Sequence, residues 1–188
     1  VEHFAVVTNL NNLAYVLDRR GNPAEAEPLY RQALLMRQKQ LGARHPEVAA
    51  SLNNLALVLD RQGKYAEAEP LCRQALALGQ KRLGTEHPQV AVTLNNLAGV
   101  LGHQGKSAEA ERFFRQALAM MQKQLGAEHP DVATSLNSLA ALFLSLAAPA
   151  KAAPFLRLAA AIREAQFGAM VSETCMQALI DELRYEED

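Results

Sequence analysis

Four histidines stand at His3, His45, His87 and His129, each 42 residues from the next, and two cysteines stand at Cys72 and Cys175. Imidazoles and thiols are the side chains best suited to moving protons, attacking carbonyls or holding metals. Their spacing argues against all three. A metal needs ligands converging within about 2–2.5 Å of one point, whereas side chains repeated at a constant long step occupy equivalent corners of separate units and diverge. Three of the histidines precede a proline, at His45-Pro46, His87-Pro88 and His129-Pro130, with His3-Phe4 as a variant. That placement predicts capping of a helix N-terminus. Cys72 fills the slot held by Tyr30 and Phe114 in sibling units, which predicts a core residue and not a nucleophile. The glycines are single and follow the same step, so no phosphate-cradling loop is present. No catalytic residue, cofactor or metal site is expected.

The other recurrent chemistry is that of amides. Asn11-Asn12, Asn53-Asn54 and Asn95-Asn96 recur, with Asn137-Ser138 in the last copy. An amide offers both a donor and an acceptor, so it can pair with an extended peptide backbone without demanding a sequence. Neighbours on a helix point about 100° apart, so the two members of a pair cannot face the same way. The apolar stripe predicts Asn53 on an inner surface with Ala50, Leu57, Asp60 and Arg61, and Asn54 nearer the preceding unit, tying helices together. Stacked units would then align Asn11, Asn53, Asn95 and Asn137 as a ladder.

The elements that position these residues follow from the same step. Leu41-Gly42, Leu83-Gly84 and Leu125-Gly126 recur, with Phe167-Gly168 closing a fourth copy, and Gly21, Gly63 and Gly105 mark a second break, replaced by Ala147. Four units follow, 1–42, 43–84, 85–126 and 127–168, each two helices long. The first helix opens at proline, where a missing N–H costs nothing, and the second closes at glycine. Val48, Leu52, Leu55, Ala56 and Leu59 recur at helical spacing. Glu27–Arg31, Glu69–Arg73 and Glu111–Arg115 form pairs with the acid first, which predicts a solvated outer face.

Leu52, Leu55-Ala56, Leu59, Gly63, Tyr65, Ala68 and Ala75 resemble the tetratricopeptide repeat. The phrases LNNLA, GKYAEAEPL, RQAL and LG-x-x-HP-x-VA resemble its 42-residue kinesin-light-chain subtype across residues 1–168. The resemblance implies an all-α, right-handed superhelical solenoid of antiparallel helix pairs. It also implies that Asn11, Asn53, Asn95 and Asn137 grip an extended segment of a partner protein. Around that ladder the expected selectors are Thr8, Tyr15, Asp18 and Arg19, then Leu57, Asp60 and Arg61, then Val92, Gly99 and His103, then Thr134, Ala141 and Leu144. The alternative is a spacer or self-association arm of a larger signalling ATPase or effector protein, which the resemblance equally accommodates.

A net charge of −1 provides no field to draw nucleic acid or anionic lipid. No apolar run reaches the roughly 18 residues of a membrane span. Two cysteines make no disulfide framework and fit a reducing, cytoplasmic compartment. The opening Val1-Glu2-His3 falls mid-motif, which leads us to expect a longer parent chain. In the last unit Leu144 and Leu146 replace Asp60 and Gln62 of the second, so something is expected to cover them. The segment 169–188, with Cys175, Leu179, Ile180 and Leu183 on one face and acids on the other, is expected to be a capping helix with an acidic tail.

Overall fold

The computed structural model describes residues 2–170. Within them the chain is all helix: α1 Glu2–Arg19, α2 Pro23–Leu41, α3 Pro46–Arg61, α4 Tyr65–Leu83, α5 Pro88–His103, α6 Ser107–Leu125, α7 Pro130–Ser145 and α8 Pro149–Met170. Each odd-numbered helix packs against the even-numbered one after it, and that one against the next unit. The result is a solenoid of antiparallel helix pairs. The first helices of successive units touch, α3 with α5 and α5 with α7. The links from α2 to α4 and from α4 to α6 run through long side chains, Arg31 to Glu67 and Arg73 to Glu109. The array therefore curves with its first helices inside.

The helix ends are fixed by local chemistry. His45 Nδ1 accepts from the backbone N–H of Glu47 at 3.3 Å, His87 Nδ1 from Gln89 at 3.1 Å and His129 Nδ1 from Asp131 at 3.2 Å. The capping role expected of these histidines is borne out, and each satisfies a donor that the first helical turn leaves unpaired. At the other end, α8 differs from its siblings. It runs through Gly168 to Met170, where α2, α4 and α6 stop at glycine. Those glycines are followed within four residues by His-Pro, which cannot continue a helix, and no proline follows Gly168. The first two residues of the expected capping helix thus prolong α8; the rest, Cys175 included, lies outside the described residues.

The core is a column of leucines, Leu52, Leu59, Leu94, Leu97, Leu101, Leu136 and Leu139, none with more than 1% of its surface exposed. Fully buried Ala56, Ala68, Ala98, Ala110 and Ala140 let the helices approach closely. Cys72 is fully buried between the slots of Tyr30 and Phe114, and burial pushes its thiol up to about 12. A protonated thiol without access to solvent is inert.

Ala147 takes the place of the turn glycines and keeps their left-handed backbone, at φ +53°. For a residue with a Cβ this conformation costs about 1 kcal/mol or more, partly offset by the greater freedom of glycine in the unfolded chain. Ala147→Gly is expected to raise the melting temperature by about 1–2 °C. An unchanged or lower midpoint in calorimetry would contradict the strain.

Candidate functional site

Successive units are sewn together at the loop edge of the solenoid. At the first seam Arg61 bridges to Asp18, Gln62 Nε2 donates to the Pro23 carbonyl at 3.0 Å, and Lys64 Nζ reaches Glu27 at 2.7 Å. At the second, His103 Nδ1 meets Asp60 Oδ1 at 2.8 Å, Gln104 Nε2 donates to the Tyr65 carbonyl at 2.9 Å, and Lys106 Nζ reaches Glu69 at 2.7 Å. The His103 ring also lies 5.2 Å from that of Tyr65. The outer pairs Glu27–Arg31, Glu69–Arg73 and Glu111–Arg115 form as expected. Arg31 and Arg73 additionally reach forward to the next unit's glutamates, at 2.9 and 3.0 Å.

The direction expected for the asparagines is corrected. Asn53 is only 6% exposed, and its Nδ2 donates at 2.7 Å to Thr93 Oγ of the following unit. Asn95 is held likewise, its Oδ1 accepting from Ser135 Oγ at 3.3 Å and its Nδ2 donating to Ser138 Oγ at 3.5 Å. Asn11 turns back onto its own helix, donating to the Val7 carbonyl at 2.9 Å. In the second and third units the first asparagine of the pair thus works at the seam with the next unit. The second is the freer one: Asn54 and Asn96 are half-buried and make no hydrogen bond among the described residues. Asn137 also makes none. A hydroxyl forty residues ahead of each seam amide, at Thr93 and Ser135, was the sequence signal for this pairing.

The remaining selectors fall into two groups. Thr8, Tyr15 and Arg19 are exposed in the first unit, Tyr15 at 57%. Leu57, Asn95 and His103 line one cavity of about 610 Å³, together with Asn96, whose place there the sequence reading missed. Its floor is apolar, made by Gly99, Gly102, Phe114, Ala141, Leu142 and Leu146, and Asp60, Ser138 and Ser145 stand among its polar members. Arg61 lies outside it, engaged by Asp18 of the preceding unit and not by its neighbour Asp60. Leu144 and Leu146 are 49% and 47% exposed among the described residues. Among those residues no three His, Cys, Asp or Glu side chains gather at one point, and no described helix is long and apolar enough to cross a membrane.

The cavity thus opens on the first-helix face of stacked hairpins that repeat every 42 residues. The tetratricopeptide repeat model matches residues 6–81, 58–123 and 89–165. The chain belongs to the tetratricopeptide repeat family. Such repeats are generally protein–protein interaction modules, and they are typically scaffolds without enzymatic activity. Among solved structures, BtubC (BKLC) from P. vanneervenii is similar at 27% identity with a TM-score of 0.72, over 86% of this chain and 65% of that one. The chain therefore spans about two thirds of BtubC. A kinesin-light-chain-like protein of Podosopora anserina with nearly identical TPR-like repeats is 28% identical, TM-score 0.68, covering 85% of this chain and 76% of that one. MamA, at 14% identity and TM-score 0.57 over 86% of this chain and 81% of its own, shares the fold. No curated protein sequence matches.

Two expectations follow from the seams. Asn53→Ala removes a buried inter-unit bond and is expected to cost about 1 kcal/mol, whereas Asn54→Ala is expected to stay within about 0.5 kcal/mol of the parent. Urea unfolding of the two variants distinguishes them, and the reverse order would contradict the seam assignment. The second concerns acid. The Lys64 ammonium, with help from Arg31, holds the Glu27 carboxyl at about 2, below its ordinary 4.5 and against the opposing effect of burial. Lys106, then Arg73, lower Glu69 in the same way. A carboxylate held low contributes stability that is whole above its unfolded value and fades as pH falls through its folded one. Stability is thus expected to decline from pH 4.5 towards 2, and Glu27→Gln with Glu69→Gln to flatten that decline; an unaltered slope would show the bridges to be idle.

Proposed function

We propose that the inner face binds an extended segment of a partner protein, with the amides of Asn54 and Asn96 meeting its backbone. The observation that carries this reading is the open cavity of about 610 Å³ on the first-helix face, flanked by Asn95 and Asn96. Amides without intramolecular partners retain both a donor and an acceptor for a ligand. Asn53 and Asn95 serve the groove indirectly, by holding the helices that form its wall, while Asn11 is bound to its own helix. Tyr15, Leu57 and His103 supply contact surface, while Thr8, Arg19 and Arg61 add polar groups on the first two units. Units about 10 Å apart would each address roughly three residues of a strand rising about 3.3 Å per residue, so four units would grip on the order of ten.

The test is selection of twelve-residue peptides from a random display library against the 188-residue chain, followed by fluorescence anisotropy on the recovered peptides. Asn54→Ala with Asn96→Ala is expected to weaken binding about tenfold while leaving the melting temperature unchanged. Failure to recover peptides, or peptides indifferent to both substitutions, would overturn the reading.

A further inference from the structure

The seam between the third and fourth units has lost four ties that the first two possess and keeps, among the described residues, the Asn95 bonds to Ser135 and Ser138. Where Arg61 meets Asp18 and His103 meets Asp60, the third seam sets Ser145 against Gly102. Where Gln62 and Gln104 clamp a carbonyl, Leu146 stands. Where Lys64 and Lys106 reach Glu27 and Glu69, Ala148 stands opposite Glu111. Where Arg31 and Arg73 meet Glu67 and Glu109, Arg115 would face Lys151, a second cation. Five substitutions at one seam, at Gly102, Ser145, Leu146, Ala148 and Lys151, remove the side chains that would otherwise form four bridges across it.

The cavity lies at this seam. Gly99 leaves its floor without a Cβ, and a Cβ built there would meet nothing within 4 Å. Leu142, Leu146 and Ala141 make the walls apolar. A volume of about 610 Å³ accepts a large side chain together with the backbone that bears it. Charge narrows the occupant further. Among the described residues Asp60 is the one carboxylate lining the cavity and His103 the one basic group. Asp18 is matched by a guanidinium, a permanent cation, whereas Asp60 has only an imidazole. A cation from a ligand has a place beside Asp60, and a carboxylate would be repelled there.

We propose that this seam is an anchor pocket for one bulky apolar side chain, of leucine to tryptophan size, carried by a partner segment with a basic residue next to it. The inference rests on the groove reading and names the partner's chemistry within it.

The test uses acetyl-Lys-Trp-Lys-amide and acetyl-Glu-Trp-Glu-amide, titrated into the full 188-residue chain and followed by ¹H–¹⁵N NMR. The lysine peptide is expected to shift the amides of Gly99, Gly102 and Ser145 and to saturate at a concentration at least about fivefold lower than the glutamate peptide. Gly99→Leu, which fills the space, is expected to abolish those shifts; Ala141→Phe, at an exposed wall position, serves the same end should the first variant unfold. Shifts elsewhere only, or tighter binding of the glutamate peptide, would overturn the proposal. So would binding that appears only in Leu179→Asp with Ile180→Asp, because the chain's own 171–188 segment would then be the occupant. If display-selected peptides still bind Gly99→Leu, the pocket fails while the groove reading stands. If the lysine tripeptide binds at the seam but those peptides ignore Asn54 and Asn96, the pocket stands and the amide reading fails.

Discussion

Everything in this solenoid depends on a constant register between one hairpin and the next. A helix pair of this length cannot bury its apolar face alone, and only a neighbour set at the same angle can cover it. The 42-residue step delivers like side chains to successive seams, so contacts recur: leucine stripes against alanine-lined second helices, an amide against a hydroxyl forty residues on at Asn53 and Asn95, and a carboxylate against the next unit's cation at the first two seams. Burial drives the stacking, since surface ion pairs contribute little individually. The polar ties select the register. A slipped hairpin would leave Asn53 buried without Thr93 and the Gln62 clamp without its carbonyl.

The same logic explains why binding chemistry concentrates where it does. A seam that is fully tied has no room for a ligand, because its inner positions are bridged. The third seam replaces bridge residues with glycine, serine, alanine and leucine, and the space they vacate opens on the inner curve. Phe143 stacks on Phe155 at 5.8 Å and Lys151 Nζ lies 5.9 Å over the Phe143 ring, so the last hairpin is held closed by aromatic packing between α7 and α8. The last unit is thus firm within itself and loosely fastened to its predecessor.

Helix boundaries were legible in the sequence because they obey local chemistry: His-Pro to start, Gly to stop, with a proline soon after. The end of α8 escaped for the same reason in reverse, since Gly168 stops nothing without the proline. The outer-face Glu–Arg pairs and the buried Cys72 were legible from periodicity alone. The asparagines were not. Two neighbours on a helix differ by about 100°, and the apolar stripe here is broad enough that a rotation of one position reassigns both. What settles them is the hydroxyl on the next unit, at Thr93 or Ser135, a long-range partner invisible to a reading made within one hairpin. Arg61 teaches the same lesson: its acid is Asp18, forty-three residues back, and not the adjacent Asp60.

Native-state hydrogen exchange gives the most direct measure of register-specific ties, because the first and fourth units each have a single described seam and differ chiefly in its polar bonds. The account requires amides of α7 and α8 to exchange through openings of lower free energy than those of α1 and α2, and Leu146→Gln to narrow the gap. Equal protection of the two units, or a gap untouched by that substitution, would show that side-chain bridges do not govern how the hairpins hold together.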